Sequence, residues 1–581
     1  MSNSDTYDFM KSSVPQSVND YTPFTDKQWD YKTDQNQGVY GTNSGMTQVT
    51  FDLNNMFDSS SFVDISDMYL TIPIIMSAAF STGAAQVAPD NATANFQLLA
   101  LKSGYQHLIH QMSITSSGKT VSDMQPFVNV IKHWKLLSSM SATDLKNLAP
   151  SLGLSETLDN ERSVKYVTAA AVTKPGLGLC NNQAFIASAS ADTQVIPNAQ
   201  QNFGTTNGAL QKRISKIVDA STLGKAYNNI VGTITDISKL NYEFKPYFTK
   251  NASGTLNWYD VAIIPLKYIN DYINKAGIVR RADLKLIIWV NTGTCNVTVD
   301  TPTTTDVNYT SFSSTFSNTL PYTVNHCPVA TANGGFPATV TNIVSSLSIA
   351  KQITTSLGGV NLLTNTDPHP MASCRIYYSK IKLDPVKALT FVQENTAKEI
   401  VFENYFFNQF ANISSGGSFS SLVQSGVKNP IGLLVIPFLA NNIAYGAGNV
   451  FNQYASPYDT SPATYAPLSL TNLNVNLGNA NILSSSYNYT YENFLQQIVS
   501  AESLTSSDIG VNVGLISQSW WEMNRVYYID LARSRSADKE SLRSISLSFT
   551  NNSLKAIDLM VFTIFLDKVV MNIETGIVIR D

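Results

Sequence analysis

From Met46 onward, apolar and polar positions alternate. Val49, Phe51 and Leu53 are interleaved with Gln48, Thr50 and Asp52, the period-two signature of a half-buried strand. Met68, Leu70 and Ile72 repeat it against Asp67, Tyr69 and Thr71. Met112 and Ile114 run into Ser116-Ser117-Gly118, and Lys119-Thr120-Val121 leads back, which predicts a hairpin. Leu284, Leu286 and Ile288, the turn Asn291-Thr292-Gly293-Thr294, then Val297 and Val299 predict another. A further β block opens at Arg375-Ile376-Tyr377-Tyr378. Near the C-terminus Ile545, Leu547 and Phe549 alternate up to Asn551-Asn552-Ser553. Runs from Ile557 to Leu566 and from Val569 to Ile573 follow, and the chain turns at Glu574-Thr575-Gly576 before Ile577 to Ile579.

Helical spacing is local. Phe127, Val130, Ile131, Trp134 and Leu137 fall three and four apart, one face of a helix. Ser141 with Asp144 resembles a capping box for a short helix ending before Pro150. Tyr491, Phe494, Leu495 and Ile498 predict a third helix. Helices inserted among many short strands, with Ser-, Thr-, Asn- and Gly-rich loops, predict an all-β chain of two antiparallel sandwiches. Residues 1–45 read as an irregular N-terminal arm, with Tyr21, Phe24, Trp29, Tyr31 and Tyr40 as anchors for a neighbouring surface. Residues 46–300 read as the first sandwich and 371–581 as the second. The Thr- and Ser-rich stretch 301–370 reads as a connecting or tower segment that can also belong to the first.

Composition narrows the function. Charged residues are 14% of 581, with 38 Lys and Arg against 42 Asp and Glu; an ordinary domain has about 25%. A near-neutral chain with scattered basic residues does not wrap nucleic acid electrostatically. Lys212-Arg213, Arg280-Arg281, and Arg533 with Arg535 are short clusters without interleaved aromatics, not a sequence-specific nucleic-acid reader. The N-terminus lacks the apolar core of a secretory signal. The longest apolar runs, near Ile72 to Phe80 and Ile431 to Ala440, are shorter than the ~18 residues of a transmembrane segment. Open sheet edges on a weakly charged surface favour an assembly protein.

Catalytic and cofactor motifs are absent, and the chain reads as no enzyme, with no cofactor and no metal. Cys180, Cys295, Cys327 and Cys374 form no CxxC pair and read as reduced buried thiols. His107 and His110 are three apart but lack the glutamate of an HExxH site. Ser116-Ser117-Gly118-Lys119-Thr120 ends like a phosphate-binding loop, yet Ser113 stands where its first glycine belongs, and the segment is a hairpin turn. Gly176 and Gly178 are a bare loop pair. Asp64 and Asp67 suit a turn or cap. Glu492 and Glu522 are acids that a glycosidase would need face to face, and nothing singles them out.

Specific segments add a family resemblance. Thr50-Phe51-Asp52-Leu53 with Val63-Asp64-Ile65-Ser66-Asp67-Met68-Tyr69-Leu70-Thr71-Ile72-Pro73 resembles the opening strands of the major capsid proteins of polinton-like viruses and virophages. Residues 102–113 and Pro126-Phe127 with Lys135-Leu136 resemble the segments that follow. In the second half, residues 432–438, 454–462, Tyr527-Tyr528-Ile529-Asp530 and Thr575-Gly576-Ile577-Val578-Ile579 resemble further family segments in family order. The resemblance implies a double jelly roll: two eight-stranded antiparallel β-sandwiches, the first over 46–300 and the second over 371–581. It implies a homotrimer of pseudo-hexagonal outline tiling the icosahedral capsid of a double-stranded DNA virus, beside neighbouring capsomers, a single-jelly-roll penton protein and minor or cement proteins. Localisation would be the virion, assembled in an algal or protist host. The alternative is a viral fibre or spike, or a carbohydrate-binding sandwich module, which would need an exposed aromatic platform or a calcium-binding carboxylate cluster.

Overall fold

The computed structural model describes residues 24–54, 61–87, 99–147, 152, 248–299, 309–324, 342–363, 369–450, 468–499, 501, 514–532 and 541–580, apart from gaps of one to four positions inside several of these spans. Sixteen strands among them form two sandwiches. The first uses β1 (Phe24–Thr33), β2 (Thr47–Asp52), β3 (Phe62–Thr82), β4 (Ile109–Ser116), β5 (Lys119–Asp123), β6 (Leu256–Pro265), β7 (Leu284–Val290) and β8 (Arg375–Leu383). The second uses β9 (Lys398–Ile413), β10 (Ser418–Val427), β11 (Pro430–Leu439), β12 (Leu470–Leu477), β13 (Ala480–Asn481), β14 (Tyr527–Asp530), β15 (Arg543–Asn551) and β16 (Ile557–Met571).

The two share one wiring. In the first sandwich the sheets run β1-β8-β3-β6 and β2-β7-β4-β5. In the second they run β9-β16-β11-β14 and β10-β15-β12-β13. Adding eight to each strand number converts one order into the other. Eight antiparallel strands split between two sheets in this order make a jelly roll, so the chain is a double jelly roll with short helices in its loops.

Strand pairing corrects the expected boundaries. Phe24–Thr33, read as irregular arm, is an edge strand paired along its length with β8. Arg375–Leu383, expected to open the second roll, pairs with β3 and closes the first. The first roll therefore extends to residue 383, and the boundary falls at a linking helix, Pro385–Glu394. That helix has Pro385 in its first turn, and the Asp384 side chain accepts from Val386 N at 3.1 Å, an N-cap. Gly293–Val299 also departs from expectation. It does not fold back on β7 but crosses to the opposite sheet, pairing with Asn342–Ile349 and Tyr309–Ser314.

Asn342–Ile349 joins the edge of β3 where β8 leaves it. β8 covers β3 up to Thr71, and Asn342–Ile349 takes over from Ile74. Pro73 lies at the junction, where its missing N–H costs no ladder bond and its carbonyl accepts from Ala350 N. Segment 301–370 thus contributes a strand to the first sheet. One cluster of buried apolar side chains runs from Val49 to Val578 through both rolls.

Candidate assembly surfaces

Each roll has one sheet whose outer face carries a row of large side chains crossing four strands. In the second roll, register sets Phe407 opposite Phe562, Phe562 opposite Leu434, and Leu434 opposite Tyr528. Residues directly opposite in a ladder share a face. The other face of this sheet meets the second sheet of its own roll, where Phe410 packs edge-on against Phe419 at 5.0 Å.

That row is covered by the first roll. Helix α1 (Val128–Ser139), in the connection between β5 and β6, lies across it. Phe127 meets Phe407 at 4.7 Å, and Trp134 stacks on Tyr528 at 5.5 Å and 19°. Tyr405 Oη donates to the Gln125 carbonyl at 2.7 Å, and Leu515 N donates to the Leu137 carbonyl at 2.8 Å. Phe127 adopts φ 66°, a left-handed conformation unusual for a bulky side chain, held between the rings of Phe407 and His110.

Charges flank this seam. Lys135 pairs with Glu403. Burial pushes Lys135 down to about 7, helped by neighbouring Lys132 and opposed by Asp271. Helix α2 (Asp271–Ala276) sits at the edge of β9, where Asp271 accepts from Glu403 N at 2.9 Å and Lys398 Nζ donates to the Ala276 carbonyl at 2.6 Å. Tyr272 packs edge-on against Phe402. A desolvated charge left without its partner is costly, so the seam fixes one relative placement of the two rolls.

No helix among the described residues covers the equivalent row of the first roll. Tyr31 lies opposite Tyr377, Tyr377 opposite Tyr69, and Tyr69 opposite Pro265. Tyr69 and Tyr377 stack at 4.9 Å and 6°. Trp29 leans on Tyr69 at 5.8 Å, and Tyr31 on Tyr377 at 5.5 Å. Trp29 is 54% exposed and Tyr31 48%. The Arg375 guanidinium lies 4.8 Å over Tyr31 and pairs with no carboxylate among the described residues. Lys27 is tied to Asp67 at 2.7 Å. Behind the sheet Asp30 receives Lys380 Nζ at 3.0 Å and Tyr378 Oη at 3.1 Å, and the Lys380 bond leads in holding its carboxyl below the usual range.

The remaining candidates are dispersed. Buried His107, in the 3₁₀ turn Tyr105–Leu108, has Nδ1 3.2 Å from Asn129 Nδ2. His110, on β4, faces the Phe127 ring, and burial pushes it down to about 4. No group of three or more His, Cys, Asp or Glu among the described residues is placed to hold a metal ion. The Lys119-Thr120 segment starts β5 after a Gly118 turn. Asp64 accepts from Ser66 N and Oγ, a local turn bond, and Asp67 accepts from Ser379 Oγ. Cys295 and Cys374 are buried free thiols. Cys180, Cys327, Gly176, Gly178, Lys212, Arg213, Arg281, Arg533 and Arg535 lie outside the described residues. Glu492 and Glu522 sit on helices α3 (Tyr491–Val499) and α4 (Gln518–Met523), inserted between β13 and β14. Glu522 pairs with Arg525. No helix among the described residues is long and apolar enough to cross a membrane.

The open row is what sequence reading missed. Trp29 and Tyr31 stood out as anchors, but Tyr69 and Tyr377 join them only through strand register.

No family model matches the chain, and no curated protein matches it. Among solved structures it is similar to a chain of the Sputnik virophage solved by cryo-EM, at 11% identity and TM-score 0.49, covering 96% of this chain and 89% of that one. It is also similar to the mavirus major capsid protein, at 10% identity and TM-score 0.46, covering 98% and 92%. A chain of the PBCV-1 capsid, at 9% identity and TM-score 0.35, covers 96% and 98%.

Proposed function

We propose that this protein is the major capsid protein of a double-stranded DNA virus of the polinton-like or virophage group. The observation that carries the reading is the repeated wiring: two jelly rolls of one strand order, joined through a single continuous core. Such a pair offers two similar sides of a hexagonal tile, and three chains complete the outline. A homotrimer of that shape tiles an icosahedral shell, meets neighbouring capsomers and minor or cement proteins, and leaves the vertices to a single-jelly-roll penton. The chain then resides in the virion, assembled in an algal or protist cell. Rigid packing and large apolar contacts suffice for this role, and no active site is required. The segments that resemble the family, spread from Thr50 to Ile579, support the same reading.

Light scattering on the purified chain at low micromolar concentration tests it. The expected mass is three times 63.5 kDa. A persistent monomer overturns the proposal, because an obligate interface does not dissociate at that concentration. The open aromatic row also suits the alternative, a carbohydrate-binding fibre or spike module, which would bind glycan through that row.

A further inference from the structure

Within the chain, the outer row of the second roll is covered by a helix from the β5–β6 connection of the first. The corresponding row of the first roll, Tyr31-Tyr377-Tyr69-Pro265, lies on strands of the same order, and no helix among the described residues covers it. The corresponding connection of the second roll, between β13 and β14, also carries helices, α3 and α4. We infer that the open row is the docking site for the α3–α4 insertion of a second copy of this chain. The contact is head-to-tail and repeats between chains the packing that α1 makes within one. The inference rests on the capsomer reading and names its interface.

Three features support this occupant. Three of the four positions in the open row are aromatic, as in the covered row, and Trp29 widens it. Exposed aromatics clustered at one place are typical interface anchors. Charge is complementary as well. Arg375 beside Tyr31 lacks a carboxylate partner among the described residues, while Glu492 on α3 is fully exposed and pairs with no cation among them. In the internal seam the signs are opposite, with Lys135 on the helix and Glu403 on the sheet. With Tyr31 in the place of Phe407, Lys27 takes the place of Glu403, so α1 would bring Lys135 toward a like charge and fits the open row less well. Finally, the donor surface and the receiving surface differ. Such a contact continues from chain to chain and closes as a ring, which a three-chain particle requires.

Sedimentation equilibrium of the full-length chain tests the inference with three proteins: wild type, Trp29→Ser with Tyr31→Ser, and Glu492→Arg. Circular dichroism verifies that each is folded. The wild type should form the three-chain species. Both variants should remain folded and dissociate at least ~30-fold more readily, the loss expected from removing interface anchors. Arg375→Glu combined with Glu492→Arg should recover part of the association lost in Glu492→Arg alone. Glu492 is exposed on a helix, so this variant stays informative even where the double serine variant fails to fold. A wild-type chain that stays monomeric removes the capsomer reading and the interface with it. A wild-type trimer whose variants associate equally well leaves the capsomer standing and overturns the interface alone. A glycan bound by wild type and lost in the serine variant, with association unchanged, hands the row to a carbohydrate.

Discussion

Replacing Trp134 by alanine should loosen the seam between the rolls more than any other single truncation in α1. The indole is fully buried and stacked on Tyr528. A tryptophan of this kind buries roughly 150–250 Å², which at ~25 cal/mol per Å² is worth about 4–6 kcal/mol. Trp134 Nε1 is buried without a hydrogen-bond partner, and removing an unpaired donor returns ~1–3 kcal/mol. The net expectation is a loss of about 3 kcal/mol, at the low end of Trp→Ala substitutions. Trp134→Phe keeps a ring on Tyr528 and also removes the orphaned N–H, so it should cost ~1 kcal/mol or less. Urea denaturation followed by circular dichroism, at one fixed protein concentration to hold any association constant, measures both. An alanine variant within ~1 kcal/mol of wild type, or a phenylalanine variant as damaged as the alanine one, would refute the packing assigned to this seam.

Two further outcomes follow from neighbouring residues. His110 is buried neutral with a folded value of about 4 against ~6.5 unfolded, so the unfolded chain takes up the proton first as pH falls. Stability is intact above ~6.5 and should drop by ~3 kcal/mol on reaching pH 4; thermal midpoints at pH 7.5, 5.5 and 4.5 should fall more steeply for wild type than for His110→Gln, and equal slopes would exclude His110 as a source. Gly432→Ala would drive a methyl group into the phenol of Tyr528, a ring already stacked on Trp134, at a cost of ~1–3 kcal/mol; an unchanged melting temperature would mean that the ring has room to move.

Much of this fold was legible in the alternation of residues. The β4–β5 hairpin, α1, α3 and the strand ending at Asn551 fall where spacing puts them, because each is a local amphipathic unit. β1 was not legible for a physical reason. Its outward positions include Lys27, Trp29 and Tyr31, while Asp26 and Asp30 face Lys382 and Lys380 behind the sheet. The strand puts its large aromatic groups on the open side and carries charges on both, so the usual signal is lost. β8 was legible as a strand but not in its allegiance. Ile376 and Tyr378 alternate with Tyr377 and Ser379 whichever roll receives them, and only pairing with Tyr69 and Leu70 decides. Gly293 marks a turn in a hairpin and in a crossing between sheets alike. The docking row inherits all of these limits, since it is assembled from three strands far apart in sequence.

The late arrival of β8 has a consequence for biosynthesis. Asp30 and Lys380 are 350 residues apart in the chain, yet they belong to adjacent strands. At about 5–20 residues per second, the ribosome needs roughly 20–70 seconds between delivering β1 and delivering the strand that pairs with it. During that interval the ladder edges of β1 and β3 that β8 will occupy have no native partner, and the closing step carries the slow loop closure of high contact order. The first roll therefore cannot close until its last strand, ending at Leu383, has been made, just ahead of the first strand of the second roll at Lys398. Its completion is tied to translation of nearly two thirds of the chain, a period in which shielding by a chaperone would matter most and in which crowded nascent copies could pair with each other's unfilled edges.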